Sequence, residues 1–191
     1  MNVLVWFRRD LRIADHPALA RAAALGPVLP VFVADPADWT APEAAGRHWA
    51  FVSECLAGLR QELAGLGAPL VVRAGPAETV LPALVRAHRI GHVVSHALPG
   101  LPASARLRAR LAEAGAAWDE LPDAAAGGPS LDPPALQAVA GAEPGIIPTP
   151  AALRLAPDRC PHRQTGGRDA GLALLEAFLA SRGEGYRTAQ R

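Results

Sequence analysis

Five charged side chains follow the first apolar run of this chain within eight residues: Arg8, Arg9, Asp10, Arg12 and Asp15. Guanidinium forks bind carboxylate or phosphate oxygens in pairs, and carboxylates accept from ring or amide N–H groups. The same residues also suit a plainer task, pairing with one another to fix a loop. A phosphate cradle is not encoded here, because no G-x-G-x-x-G or P-loop pattern follows the run. All 19 cations are Arg and the chain has no Lys, which excludes a Walker lysine and a Schiff-base lysine. His16, His48, His88, His92, His96 and His162 are scattered. His88 and His92 have helical i, i+4 spacing, but the intervening Gly91 and a strand pattern argue against ligation, so no metal site is expected. Cys55 and Cys160 form no C-x-x-C, which fits a reducing cytoplasm. The net charge of +1 predicts no strong pull on nucleic acid.

The elements that must position these residues alternate in type. Val3 to Phe7 is an apolar run of strand length. Pro17 to Leu25 reads as a helix, with Asp15 as its N-cap and Gly26 as its stop. Val28 to Val33 is a second buried strand, ending at Asp35 and Pro36. From Arg47 to Leu66 the residues Val52, Cys55, Leu56, Leu59, Leu63 and Leu66 recur at steps of three and four, the stripe of an amphipathic helix. Leu70 to Val72 is a third strand, 76–89 a helix with Pro82 inside it, and His92 to Ser95 a fourth strand. Ser104 to Ala114 is a further helix, and Ala117, Trp118 and Leu121 mark a fifth strand. Trp49, Phe51 and Trp118 read as core.

Strands separated by helices need crossover connections, which build a parallel sheet with helices on both faces. The expected fold is a doubly wound, Rossmann-like α/β domain of five parallel strands in the order 3-2-1-4-5. Ligands of such sheets bind outside the carboxyl ends of the strands. Arg8, Asp10, Asp35 and Arg47 are therefore the candidate binding residues at that edge. The domain spans 1–121. Residues 122–165 read as a linker, since 122–161 hold 9 Pro and 4 Gly without periodicity. Residues 166–191 hold one amphipathic helix, with Leu172, Leu175, Phe178 and Leu179 on one face. No apolar stretch is long enough to span a bilayer, and the N-terminus is not a secretory signal.

The opening segment, from Trp6-Phe7-Arg8-Arg9-Asp10-Leu11-Arg12 to Asp15 and Ala18-Leu19, resembles the W-F-R-x-D-L-R-x-x-D-x-x-A-L signature of the DNA photolyase and cryptochrome family. Arg47-His48-Trp49-Ala50-Phe51 to Leu56 is similar to the family's R-x-x-F-x-x-E-S-L helix. Leu63 to Gly75 is similar to its L-x-x-L-G-x-x-L-x-V-x-x-G continuation. Gly166-Gly167-Arg168 through Gly185-Tyr186-Arg187 resembles the first helix of the family's flavin domain. The resemblance implies FAD held in a large helical C-terminal domain, with Tyr186 near the flavin nucleotide's phosphates. It implies light-driven electron transfer to a pyrimidine dimer flipped out of damaged DNA. It also implies a folate or deazaflavin antenna on the α/β domain. The family's acidic residues after strand four are replaced here by His96-Ala97-Leu98-Pro99-Gly100, and the chain stops at Arg191, where the flavin domain should begin. FAD is therefore expected not to be retained and DNA not to be repaired by this chain alone. The expected reading is the N-terminal domain of a photolyase, inactive alone, with a flavin domain on a separate chain as one candidate partner. The alternatives are an antenna- or nucleotide-binding module, a photoreceptor fragment, or a remnant without ligand.

Overall fold

The computed structural model describes residues 1–39, 44–98, 104–122, 132–156, 158 and 160–186. Five strands form one parallel sheet: β1 (Asn2–Phe7), β2 (Val28–Ala34), β3 (Val71–Ala74), β4 (Ile90–His96) and β5 (Ala117–Leu121). Their spatial order is β3-β2-β1-β4-β5, as the alternating pattern implies. The register Val5↔Pro30 and Val5↔Val94 puts β1 at the centre of the sheet. Helices α1 (Pro17–Leu25), α2 (Gly46–Gly65), α3 (Ala77–Ala87) and α4 (Ala105–Glu113) are the crossovers, and α5 (Arg168–Ser181) ends the described chain.

The period of two in β1 divides the core. Val3, Val5 and Phe7 face α1 and α2, where they meet Leu19, Trp49, Leu56, Leu59 and Leu63. Leu4 and Trp6 face α3 and α4, where they meet Leu81, Val85, Leu107, Leu111 and Trp118. A fully buried side chain of this size contributes about 1.5–3 kcal/mol, so a strand with five consecutive buried residues is a main source of stability. Pro82 lies buried inside α3 and leaves that helix one backbone donor short.

One local expectation is corrected. The N-cap of α1 is His16, not Asp15. Asp15 takes a left-handed backbone with φ 49°, one residue too early to cap. The His16 ring instead supplies the acceptor, through Nδ1 and the Leu19 amide at 2.9 Å.

The described part of the proline-rich segment is laid along the domain. The Val28 amide donates to the Gln137 carbonyl at 2.7 Å, the Leu136 amide to Leu66 at 2.8 Å, and the Val72 amide to Pro144 at 2.8 Å. The Trp49 indole donates to the Pro148 carbonyl at 2.8 Å. Leu153 is 1% exposed in the core beside α2. Close approach requires glycine at two crossings. A Cβ on Gly67 would lie 2.4 Å from the Leu136 carbonyl oxygen, and one on Gly166 would lie 2.1 Å from that of Phe51. The expected linker residues 123–131 lie outside the described set.

Candidate functional site

A cavity of about 1030 Å³ opens at the carboxyl edge of the sheet. It is at the large end of the range for small-molecule sites. Its floor is the end of β1 and β2: Trp6, Phe7, Arg8, Phe32 and Val33. One wall is Asp35, Asp38 and Trp39, carried by the turn after β2. A second wall is the outer face of α2, with Phe51, Cys55, Gly58 and Glu62. The first turn of α5, from Gly167 to Ala170, closes a third side. Parallel strands end here because their connections leave from this edge, and the side chains that follow each strand converge on it.

The polar groups of the cavity are held rather than loose. The Arg8 guanidinium lies 4.6 Å above the Trp6 ring and donates to Glu120 Oε1 at 3.2 Å. Burial lowers its pKa, against the pull of Glu120 and Asp10. Asp35 accepts from the Ala77 amide at 3.1 Å and the Ala37 amide at 3.0 Å, so it ties the end of β2 to the start of α3. Burial and the charge of Asp35 push the neighbouring Asp38 carboxyl up. At the α5 side, the two Glu54 oxygens accept from the Arg163 guanidinium and Glu54 Oε2 also accepts from the Gly166 amide at 2.7 Å. Those bonds, with Arg163 the stronger influence, hold Glu54 below the usual carboxylate range. The Gly167 amide donates to Cys55 Sγ at 3.1 Å. The floor and walls therefore combine five aromatic residues (Trp6, Phe7, Phe32, Trp39, Phe51) with fixed charges at the rim. Such a surface suits a flat heteroaromatic molecule with polar edges.

Behind the Arg8 turn sits a closed cluster. Asp10 is 8% exposed, and His16 and His96 are each 2% exposed. Asp10 Oδ1 accepts the Arg8 amide at 2.8 Å. Asp10 Oδ2 lies 2.6 Å from His96 Nδ1 and 2.9 Å from His16 Nε2. The His96 contact is a hydrogen bond, whereas the His16 contact is attractive in distance but poorly directed. The far nitrogen of each ring accepts a backbone N–H: Leu19 to His16 Nδ1, and Ala18 to His96 Nε2 at 3.3 Å. Burial raises the Asp10 pKa, but the contacts from His16 and His96 and the Arg8 amide overcome it and leave the carboxyl well below its ordinary range. Burial pushes His16 below its ordinary pKa, against the opposing pull of Asp10. The three side chains converge as metal ligands can, yet the chemistry is that of hydrogen bonding. Two ligands of one tetrahedral zinc ion stand about 3.3 Å apart, and each ring has already given one lone pair to an amide.

The expected site residues thus separate. Arg8 and Asp35 line the cavity together. Asp10 lies behind it in the closed cluster. Arg47 stands away from it, donating to Asp158 Oδ2 at 3.1 Å through its guanidinium and at 3.0 Å through its amide. Tyr186 packs edge-on to Phe178 of α5 with ring centroids 5.4 Å apart, and it is not among the cavity residues. No enclosed flavin site surrounds it among the described residues. Pro99, Gly100 and Arg187 lie outside the described residues. Trp49 and Trp118 are core, but Phe51 is 40% exposed and faces the cavity. Its position off the α2 stripe was the available signal. His16 and His96 carried no such signal, being 80 residues apart.

With this geometry in hand, comparison with known proteins gives the class and then the family. The fold is that of the N-terminal domain of photolyases and cryptochromes. The DNA photolyase family model matches residues 3–124, and the chain belongs to that family. It is 40% identical over 91 residues to a cryptochrome DASH of Natronomonas pharaonis, covering 44% of this chain and 19% of that protein. It superposes on a cryptochrome of Synechocystis sp. PCC6803 with a TM-score of 0.79 at 22% identity, over 98% of this chain and 48% of that one. An archaeal photolyase of Sulfolobus tokodaii, described with two FAD molecules and a proposed light-harvesting cofactor, matches with a TM-score of 0.53 at 26% identity, over 64% of this chain and 29% of that one. The chain spans about half the length or less of the proteins it matches. No described helix is long and apolar enough to cross a membrane.

Proposed function

We propose that the cavity at the sheet edge holds a planar light-absorbing chromophore, and that this chain is the antenna-carrying half of a photolyase or cryptochrome. One observation carries the reading: five aromatic residues and the Arg8 guanidinium, itself held by Glu120, line about 1030 Å³ at the edge where such sheets bind ligands. The residues fit a folate or a flavin-like ring system, which would supply light absorption in the near-ultraviolet and blue. Trp6 and Trp39 would flank the ring, Asp35 and the raised Asp38 carboxyl would meet its polar edge, and Arg8 would face an oxygen or phosphate. The described residues offer no comparable enclosure for FAD at Tyr186, so electron transfer to damaged DNA is assigned to a second, helical half. That half would cover the outward leucines of α5, whether it continues this polypeptide or arrives as a separate chain.

The test is reconstitution. The purified chain is mixed with methenyltetrahydrofolate, with riboflavin or with FMN, desalted, and its absorption spectrum recorded. Retention of one equivalent of one chromophore, lost in Trp39→Ala, supports the reading. A featureless spectrum with all three sinks it.

A further inference from the structure

The Asp10–His16–His96 cluster touches no ligand in this reading, yet its chemistry is unusually constrained. An imidazole that accepts an amide N–H at one nitrogen must carry its proton on the other to remain neutral. The Leu19 amide fixes His16 as the Nε2–H form, and the Ala18 amide fixes His96 as the Nδ1–H form. The His96 proton then bonds Asp10 Oδ2, and His16 Nε2 lies 2.9 Å from the same oxygen in a poorly directed contact. The other Asp10 oxygen holds the Arg8 amide, and the Arg8 side chain lies over Trp6 in the cavity floor. The ring of Phe7 packs on His16 at 4.8 Å, and the two imidazoles lie 4.3 Å apart, so water has little access.

We infer that Asp10, His16 and His96 are positioning residues that hold the Arg8 turn in the cavity wall while both imidazoles are neutral, and that charging His16 loosens this turn. The inference rests on the cavity reading for its effect on a ligand, but not for its effect on Arg8. An imidazolium has two N–H groups and no acceptor. Protonating His16 therefore sets a donor against the Leu19 amide and removes the cap of α1. The groups facing His16 are Asp10 from the turn and His96 from β4, with the Arg12 guanidinium farther off; α1 contributes backbone amides. Asp10 favours the charged ring, whereas burial, His96 and Arg12 oppose it, and burial is the largest of these influences. Because the folded ring resists its proton, the cluster is intact above the ordinary histidine range near pH 6.5 and weakens as the pH falls below it.

The test uses the 191-residue chain and His16→Asn. Asparagine keeps an acceptor for Leu19 and a donor for Asp10 but cannot take up a proton in this range. Long-range proton–nitrogen spectra at pH 7.5 should show His16 protonated at Nε2 and His96 at Nδ1. Between about pH 6.5 and 5, protection of the Arg8 and Leu19 amides, taken relative to the intrinsic exchange rate at each pH, should fall roughly tenfold in the parent, with helical circular dichroism unchanged. In His16→Asn the same amides should hold. Riboflavin, the probe ligand, should bind several-fold more weakly at pH 5 than at 7.5 in the parent and equally at both in the variant. The opposite tautomer on either ring, or an Arg8 amide indifferent to pH in the parent, overturns the inference even if the variant does not fold. Equal acid sensitivity in the parent and a folded variant overturns it as well. If riboflavin and the other chromophores fail to bind at pH 7.5 while the Arg8 and Leu19 amides respond as described, the cavity reading falls and the positioning role stands.

Discussion

Helices α2 and α5 carry similar apolar stripes and meet opposite fates. In α2, Trp49, Leu56, Leu59 and Leu63 are at most 2% exposed. In α5, Leu172, Leu174, Leu175 and Leu179 are 40–64% exposed, and no described residue of that helix is buried. The periodicity that makes a helix amphipathic is local, but burial needs a neighbour. Helix α2 packs on the sheet and is also met by described residues of the strap at 132–167, among them Pro148, Leu153 and Gly166. Helix α5 is tied to α2 just before its start, where Arg163 and Gly166 bond Glu54 and the Gly167 amide bonds Cys55. Under the proposed function, its leucines are the face that a helical half would cover.

The contrast can be broken at several strengths. Leu63→Ala should have the largest effect, a loss of about 2–5 kcal/mol in urea unfolding, because it leaves a cavity in a packed core. An unchanged midpoint would mean α2 is not where the structure puts it. Gly166→Ala comes next. Its new Cβ would collide with the Phe51 carbonyl, so the strap and the start of α5 should shift at a cost of about 1–3 kcal/mol. Limited proteolysis should then cut faster near residue 166, and parent-like cleavage would show the contact to be dispensable.

Asp10→Asn should cost about 1–3 kcal/mol at neutral pH, because its amide nitrogen would meet a histidine N–H with no acceptor between them. It should also change the acid limb. The Asp10 carboxyl is held below its ordinary value of 3.8, so its contribution is present above that value and is lost as the pH falls below it. The parent's stability should therefore fall more steeply than the variant's below about pH 4; parallel curves would disprove the role given to Asp10. Leu175→Ser is the smallest change, expected to stay within about 0.5 kcal/mol of the parent. A drop comparable to that of Leu63→Ala would show that α5 is packed after all. If the leucines of α5 are a docking face, the same variant should weaken association with a helical FAD-binding half, read by sedimentation of the mixture.

Much of the fold was legible because its signals are short-ranged. The apolar run of β1, the stripe of α2 and the glycine after α1 each act within a few residues, and crossover handedness then restricts strand order. Arg8 and Asp35 could be placed at the ligand edge on the same ground, since both directly follow a strand. The proline-rich composition of 122–161 spoke only of the absence of helix and strand. It could not reveal that the Leu136, Gln137 and Pro144 backbone groups bond to the domain, because those partners are set by the domain's surface.

Asp10 and His16 lie six residues apart, but His96 reaches them only because β4 pairs beside β1 in one register. The same pairing brings Glu120 of β5 to Arg8, two strands away. The chain alone therefore determined the family, the sheet and the edge that carries chemistry, since propensity, periodicity and turn residues are properties of neighbours in sequence. Which side chains share a proton network, which face the cavity and which helix stays uncovered was decided by tertiary structure. Those relations depend on distances between residues dozens of positions apart, and only the assembled sheet fixes them.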